Sequence, residues 1–188
     1  MCGEDLYIAL LHYPVFNKKG DIVTTAVTNM DIHDISRAAR TYGVKRFYIV
    51  TPIEQQQAFV KRILHHWQEG HGVHYNPSRK EAFDIVDIKG SLDDVIRNIA
   101  ERVEKKVRLV VTSATRQGSS INFEDMRKGI LSGNDAYLLA FGTGWGFSEE
   151  IIERADFVLE PIKGPSDYNH LSVRSAVAVV LDRLCGET

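Results

Sequence analysis

Residues 141–146 read Phe-Gly-Thr-Gly-Trp-Gly, directly after an apolar run with strand character. Glycine permits positive φ and lets a ligand approach the backbone. Gly142, Gly144 and Gly146 therefore suit a loop that grips a nucleotide-like molecule through amides and carbonyls, with Trp145 as a wall. Residue type excludes two phosphate cradles: a dinucleotide fingerprint needs a third glycine where Phe147 stands, and a Walker A loop needs lysine then serine or threonine after a glycine. The same glycines also fit a tight strand-to-helix turn with no ligand, and Trp145 also fits packing on a sheet. A second loop, residues 160–175, carries Pro161, Gly164 and Pro165, then the polar run Ser166, Asp167, Tyr168, Asn169 and His170 before an apolar helix. It is longer than a turn requires. Its plainer reading is a connection in which Asp167 or Asn169 caps the next helix. Arg116 and Gln117 follow another strand end and could reach a ligand or a phosphate. His65, His66, His71 and His74 have no cysteine or acidic pattern to complete a metal site, so no metal is expected.

Those loops need a scaffold, and the chain supplies an alternating one. Apolar runs at residues 5–15, 46–51, 83–90, 107–116, 135–142 and 156–162 read as strands. Between them come helical spacings. Ile32, Ile35, Ala39 and Tyr42 repeat along residues 30–43, with Thr28 or Asp31 at the start and Gly43 at the end. Ala58, Phe59, Ile63 and Trp67 form one apolar face of a predicted helix over residues 54–68, and residues 69–82 read as a polar loop. Ser91 opens a helix with Asp94 three positions on, a capping-box spacing, and its apolar stripe runs from Leu92 to Val103. Asn122 and Asp125 open another that ends near Gly133; a short one begins at Ser148, and the last carries Val173, Ala176, Val177, Val180, Leu181 and Leu184 inward. The alternation predicts an α/β fold with a mainly parallel sheet and helices on both faces. Ligands in such sheets bind at the carboxyl ends of the strands, where the loops at residues 113–120, 142–146 and 163–170 would lie.

The 188 residues fit one domain, 1–188, and the 44 % hydrophobic fraction supports a sizeable core. Lys+Arg 23 against Asp+Glu 25 gives a net charge of −2, which excludes a globally basic nucleic-acid binder but not a local basic patch. Cys2 and Cys185 form no disulfide framework, so reduced cysteines and a cytoplasmic setting are expected. No signal peptide or apolar span long enough for a bilayer is evident, and no membrane association is expected.

Three stretches, in order, resemble the motifs of the SPOUT class of S-adenosylmethionine-dependent RNA methyltransferases. Residues 28–52 resemble the first motif, with Arg37 six residues before Gly43; residues 138–148 resemble the second and residues 168–184 the third. The likeness is greatest to the small bacterial group related to the C-terminal module found with tRNA (guanine-N1)-methyltransferase, and it covers most of the chain. Two positions depart from the 2′-O-methylating branch: Ser172 stands where its third motif has asparagine, and Asp31 where its first motif does, with Asn29 two residues further from the arginine. Methylation of ribose or of base both remain open on this pattern.

The resemblance implies an α/β SPOUT-like fold with a C-terminal trefoil knot, which periodicity does not reveal. It implies S-adenosyl-L-methionine as cofactor, an RNA substrate (tRNA or rRNA) and a homodimer whose RNA site is shared between subunits. The implied cofactor contacts are Thr112, Ser113, Ala114 and Thr115 after one strand. Leu139, Phe141, Gly142, Thr143, Gly144, Trp145 and Gly146 follow in the second motif. Pro161, Ile162, Lys163, Gly164, His170, Leu171, Ser172 and Val173 complete the set. Arg37, Asp167 and Asn169 are the implied catalytic or substrate-contacting residues. A guanidinium gives up its proton with difficulty, so orienting a phosphate or ribose hydroxyl is the role expected of Arg37; a solvated helix arginine is the plainer alternative. Paired basic residues stand at 18–19, 45–46, 61–62, 79–80, 105–106 and 127–128, and a dimer could gather some into an RNA-binding stripe. Two readings from other classes remain: a non-catalytic cofactor- or RNA-binding module, and a Rossmann-like nucleotide-binding enzyme.

Overall fold

The computed structural model describes residues 4–70, 72–114, 120–166 and 168–187, with the side chains of Val73 and His74 outside that set. In chain order the elements are β1 (Leu6–Leu11), β2 (Val15–Phe16), β3 (Ile22–Val23), α1 (Asn29–Thr41), β4 (Arg46–Val50), α2 (Glu54–Gln68), α3 (Gly72–Tyr75) and α4 (Pro77–Phe83). Then follow β5 (Val86–Lys89), α5 (Leu92–Ala100), β6 (Val107–Thr112), α6 (Phe123–Ser132), β7 (Ala136–Gly142), α7 (Glu149–Glu153), β8 (Phe157–Leu159) and α8 (Val173–Cys185).

Six strands form one parallel sheet in the order β5-β4-β1-β7-β6-β8. β1 is buried along its whole length and β7 along all but its last residue, the pattern of strands covered on both faces. One face carries α1, α2, α4, α6 and α8, which contribute Ile32, Ile35, Val60, Leu64, Phe83, Met126, Val177 and Leu181 to a common core. The opposite face carries α5 and α7 through Leu92, Val95, Ile99 and Ile151. From β1 the chain winds outward through β4 to β5, then crosses to build the other half. The carboxyl ends of β1 and β7, paired at Leu11 and Gly142, therefore lie where the winding reverses. No described helix is long and apolar enough to cross a membrane.

Local chemistry explains most boundaries. Thr28 caps α1 by accepting from the Asp31 amide at 3.2 Å. Ser91 and Asn122 cap α5 and α6 in the same way, and Gly133 ends α6 in the left-handed conformation.

Four expectations are corrected. The segment 69–82 is not a plain loop: it holds α3 and α4, the latter started by Asn76 as cap and Pro77 in its first turn. The first strand ends at Leu11 rather than Val15, and residues 15–23 fold into a separate antiparallel hairpin. The apolar face expected on α2 is only partly turned inward: Ile63 and Trp67 pack half-buried against the core, but Val60 and Leu64 are its buried positions and Phe59 and Ala58 are exposed. Among the described residues no cysteine is a free thiol, so the reduced Cys185 expected from the sequence is not observed.

Candidate functional site

A cavity of about 890 Å³ opens at the carboxyl ends of β6, β7 and β8, a size typical of small-molecule sites. Its lining gathers three chain segments that the sequence singled out. Thr112, Ser113 and Ala114 come from the end of β6, and Phe141 through Gly146 from the glycine loop. Ile162, Asn169, His170, Leu171, Ser172 and Val173 come from the segment leading into α8. The loops are tied together. The Asn169 side-chain amide donates to the Ala114 carbonyl at 2.7 Å, and Thr112 Oγ1 donates to the Ala140 carbonyl at 3.0 Å.

Some expected residues lie elsewhere. Leu139 is fully buried within the sheet and Pro161 is buried beside the cavity without lining it; Lys163 and Gly164 are exposed and outside the lining. Ser172 lines the cavity, but its hydroxyl is committed to capping α8, where it accepts from the Ser175 amide at 3.3 Å. Arg37 is exposed on α1, away from the lining, and among the described residues its guanidinium has no hydrogen-bond or ion-pair partner. Thr115, Arg116, Gln117, Asp167 and His71 lie outside the described residues.

The glycine loop is held from above by the β2–β3 hairpin. Phe16 N–H donates to the Gly146 carbonyl and Trp145 N–H to the Phe16 carbonyl, both at 2.9 Å. Gly144 and Gly146 have φ of +61° and +102°, so positive φ is required at these two positions. Gly142 is needed for room instead: a Cβ there would meet the Phe147 ring at 3.2 Å. Trp145 is 63 % exposed and borders the cavity rather than packing into the sheet.

The hairpin segment also supplies residues that the sequence did not flag, Phe16, Thr25 and Ala26, and α1 supplies Asp31. Asp31 Oδ1 accepts from Arg174 Nη1 at 3.0 Å, and its other oxygen accepts from the Thr28 hydroxyl at 2.5 Å. Glu149 and Glu160 are the other lining carboxylates, and among the described lining residues there is no lysine or arginine. This lining suits a ligand with positive charge and apolar surface better than a polyphosphate.

Beneath Thr25 lies His12, fully buried. His12 Nδ1 and Thr25 Oγ1 are 3.0 Å apart, Thr25 Oγ1 and Thr143 Oγ1 2.5 Å, and Thr143 Oγ1 donates to the Leu11 carbonyl at 3.0 Å. The last acceptor fixes every direction in the chain. A carbonyl only accepts, so Thr143 donates to it and accepts from Thr25; Thr25 has spent its proton and accepts from His12 Nδ1–H. Nε2 is thus the bare nitrogen, with no protein partner among the described residues. Burial lowers the His12 pKa to about 4, against an opposing pull from the Asp31 carboxylate. The unfolded chain therefore binds a proton that the folded chain refuses between pH about 6.5 and about 4. Stability is full above that window and falls as pH drops through it. Between pH 7 and pH 5 the parent is expected to lose about 2 kcal/mol more than His12→Asn, read from urea unfolding at both pH values. Equal losses in the two proteins would contradict this account.

A family model described as SAM-dependent RNA methyltransferase matches residues 5–186. An uncharacterized protein of Aquifex aeolicus is 40 % identical over 184 residues, covering 98 % of this chain and 90 % of its own. A tRNA (guanine-N(1)-)-methyltransferase of Oleidesulfovibrio alaskensis is 40 % identical over 185 residues, covering 98 % of this chain. The match takes in 43 % of that enzyme, so the chain spans less than half of its length. Among solved structures, a TrmH/SpoU tRNA modifying enzyme of A. aeolicus superposes with a TM-score of 0.57 at 16 % identity, over 96 % of this chain and 74 % of the other.

Proposed function

The chain belongs to the SAM-dependent RNA methyltransferase family, and from that premise we propose that it acts as a single SPOUT-like domain over residues 1–188, methylating tRNA or rRNA as a homodimer. The observation that carries this reading is the lining of the cavity: a glycine loop, the carboxylates of Glu149 and Glu160 beside the paired Asp31, and no lysine or arginine among the described lining residues. S-adenosylmethionine, when bound, supplies a methyl group already activated by the sulfonium. The backbone groups of residues 142–146 not already bonded within the protein would hold its adenosine, with Trp145 against it, and Glu149 and Glu160 would balance its positive charge, Asp31 being paired with Arg174. This assignment disfavours the Rossmann-like reading, because a nucleotide diphosphate would meet carboxylates with no facing cation.

Two tasks fall to the chain itself: aligning the RNA nucleophile for in-line attack, and taking its proton. Asn169 and Asp167 belong to the segment that would face the RNA. Arg37 would orient a phosphate or ribose hydroxyl. Its exposure outside its own chain's cavity supports a site completed by a second copy, with Arg37 of one protomer serving the cavity of the other. The same reading includes a trefoil knot, in which residues after β8 thread the loop after β6; the Asn169–Ala114 hydrogen bond between these segments is consistent with it.

The test is transfer of labelled methyl from S-adenosylmethionine to total RNA, followed by nucleoside mass spectrometry, which also reads whether ribose or base is modified. Label is expected in RNA, and Arg37→Ala is expected to lower the rate about 100-fold while cofactor binding by calorimetry is unchanged. Mixing Arg37→Ala with a variant defective in cofactor binding should restore transfer in the mixed dimers. Unlabelled RNA, or Arg37→Ala working at the parent rate, would overturn the respective assignments.

A further inference from the structure

A second concavity, about 450 Å³, lies between α1 and α2, away from the cofactor cavity. Its floor is Phe59, Ile63 and Trp67, of which Ile63 and Trp67 also pack, partly buried, against the core. The burial of Val60 and Leu64 instead leaves Phe59 38 % exposed, an aromatic surface that the packing of α2 does not use. Asn29 and His33, one turn apart on α1, form the other wall. The rim is cationic. Arg62 lines the groove, and among the described residues its guanidinium, like that of Arg37, has no ion-pair or hydrogen-bond partner. Arg79 lies over the Trp67 ring at 4.8 Å. His33 stands edge-on to Trp67 at 5.6 Å; burial and then the nearby Arg79 charge push it toward its neutral form, Arg37 adds to that, and Asp34 opposes it. The Asp34 carboxylate is itself engaged by Arg174 at 3.4 Å.

We infer that this groove seats an unpaired nucleotide of the RNA substrate, its base stacked on Phe59 between the two helices and its phosphate met by Arg62. An exposed aromatic beside an arginine that has no partner among the described residues is the pairing that single-stranded nucleic acid needs: every base offers a π-face and every linkage a negative charge. Arg37, four residues beyond His33 on α1, continues the cationic side, so the groove forms a path toward the residue assigned to orient the substrate. This inference rests on the reading that RNA is the substrate.

Fluorescence anisotropy tests it, with the full chain saturated in S-adenosylmethionine and a fluorescein-labelled 12-nucleotide oligoadenylate RNA as probe. Arg62→Glu is expected to weaken binding tenfold or more and to reduce the slope of log affinity against log salt by about 1. Phe59→Ala is expected to weaken binding about fivefold or more with the slope unchanged, because stacking releases no counterions. Both side chains are exposed, and unchanged melting temperatures would confirm that the variants fold. If the parent binds RNA and both variants bind equally well, the groove assignment falls while RNA as substrate stands. If the parent binds neither the oligonucleotide nor total RNA, both fall. If the variants instead turn a dimer into a monomer by light scattering, the groove faces a second copy of the chain and the inference is overturned.

Discussion

Gly144→Ala is expected to weaken S-adenosylmethionine binding at least tenfold and to cost about 1–3 kcal/mol of stability. Two separate effects converge on this residue. Its φ of +61° lies in the left-handed region, where a Cβ crowds its own backbone. That Cβ would also sit 2.7 Å from the Phe16 carbonyl oxygen. This oxygen accepts the Trp145 amide, so relieving the clash means parting the loop from the hairpin that braces it. Both sides of that joint line the cavity, and a loss of about 1.4 kcal/mol in loop placement alone gives tenfold in affinity. Gly133→Ala is the matched control. It has φ of +68°, no atom within 4 Å of its added Cβ, and a position at the end of α6. It should lose stability and keep its affinity. Calorimetry and urea unfolding on both variants read the two effects separately. Equal affinity in Gly144→Ala and parent would remove the glycine loop from the cofactor site.

Arg174→Ala is expected to destabilise the protein by about 2–4 kcal/mol, below the usual 3–5 for breaking a buried pair because Arg174 is partly solvated. Arg174 joins α8 to α1: it donates to the Asp31 carboxylate and also pairs with Asp34. The Asp31 side chain is 8 % exposed and that of Arg174 29 %. Removing the arginine leaves a buried carboxylate facing the cavity with the Thr28 hydroxyl and no cation. Asp31→Asn removes the charge together with the need for a partner and should cost about 1 kcal/mol. The double variant is therefore expected to be more stable than Arg174→Ala alone, a coupling that a double-mutant cycle in urea measures directly. Strict additivity would mean that the pair carries no specific stability.

The alternation of strands and helices was readable because both periods are strong. Fully buried strands such as Leu6–Leu11 show as unbroken apolar runs, and Thr28, Ser91 and Asn122 announce their helices through side chains that satisfy free amides. The glycine loop was readable for the same reason: Gly144 and Gly146 occupy backbone conformations that other residues resist. What stayed hidden depends on how elements pack. Phe59, Ile63 and Trp67 share one helical spacing, but only Ile63 and Trp67 reach the core beside Val60 and Leu64 while Phe59 faces out, a small rotation that leaves little trace in periodicity. Thr25 and Asp31 reach the cavity only because the hairpin folds back over the glycine loop. That reversal is set by the Asn17 side chain, which accepts from the Lys19 and Asp21 amides at 2.7 and 3.0 Å. The His12–Thr25–Thr143 chain joins residues up to 131 positions apart, beyond any local pattern. Arg37 was identified by resemblance, and its own chain leaves it outside the cavity.

The pairing of Leu6 with Tyr137 at the middle of the sheet sets an order of events during synthesis. β1 is made first and can dock against β4 early, but its other edge waits for a strand encoded about 130 residues later. At typical elongation rates the wait is on the order of ten seconds. For that time a fully apolar strand edge stands open beside an unfinished half. The nascent chain is therefore most exposed to mispairing at its centre, and β7, made late, closes the strand of the sheet that was made earliest.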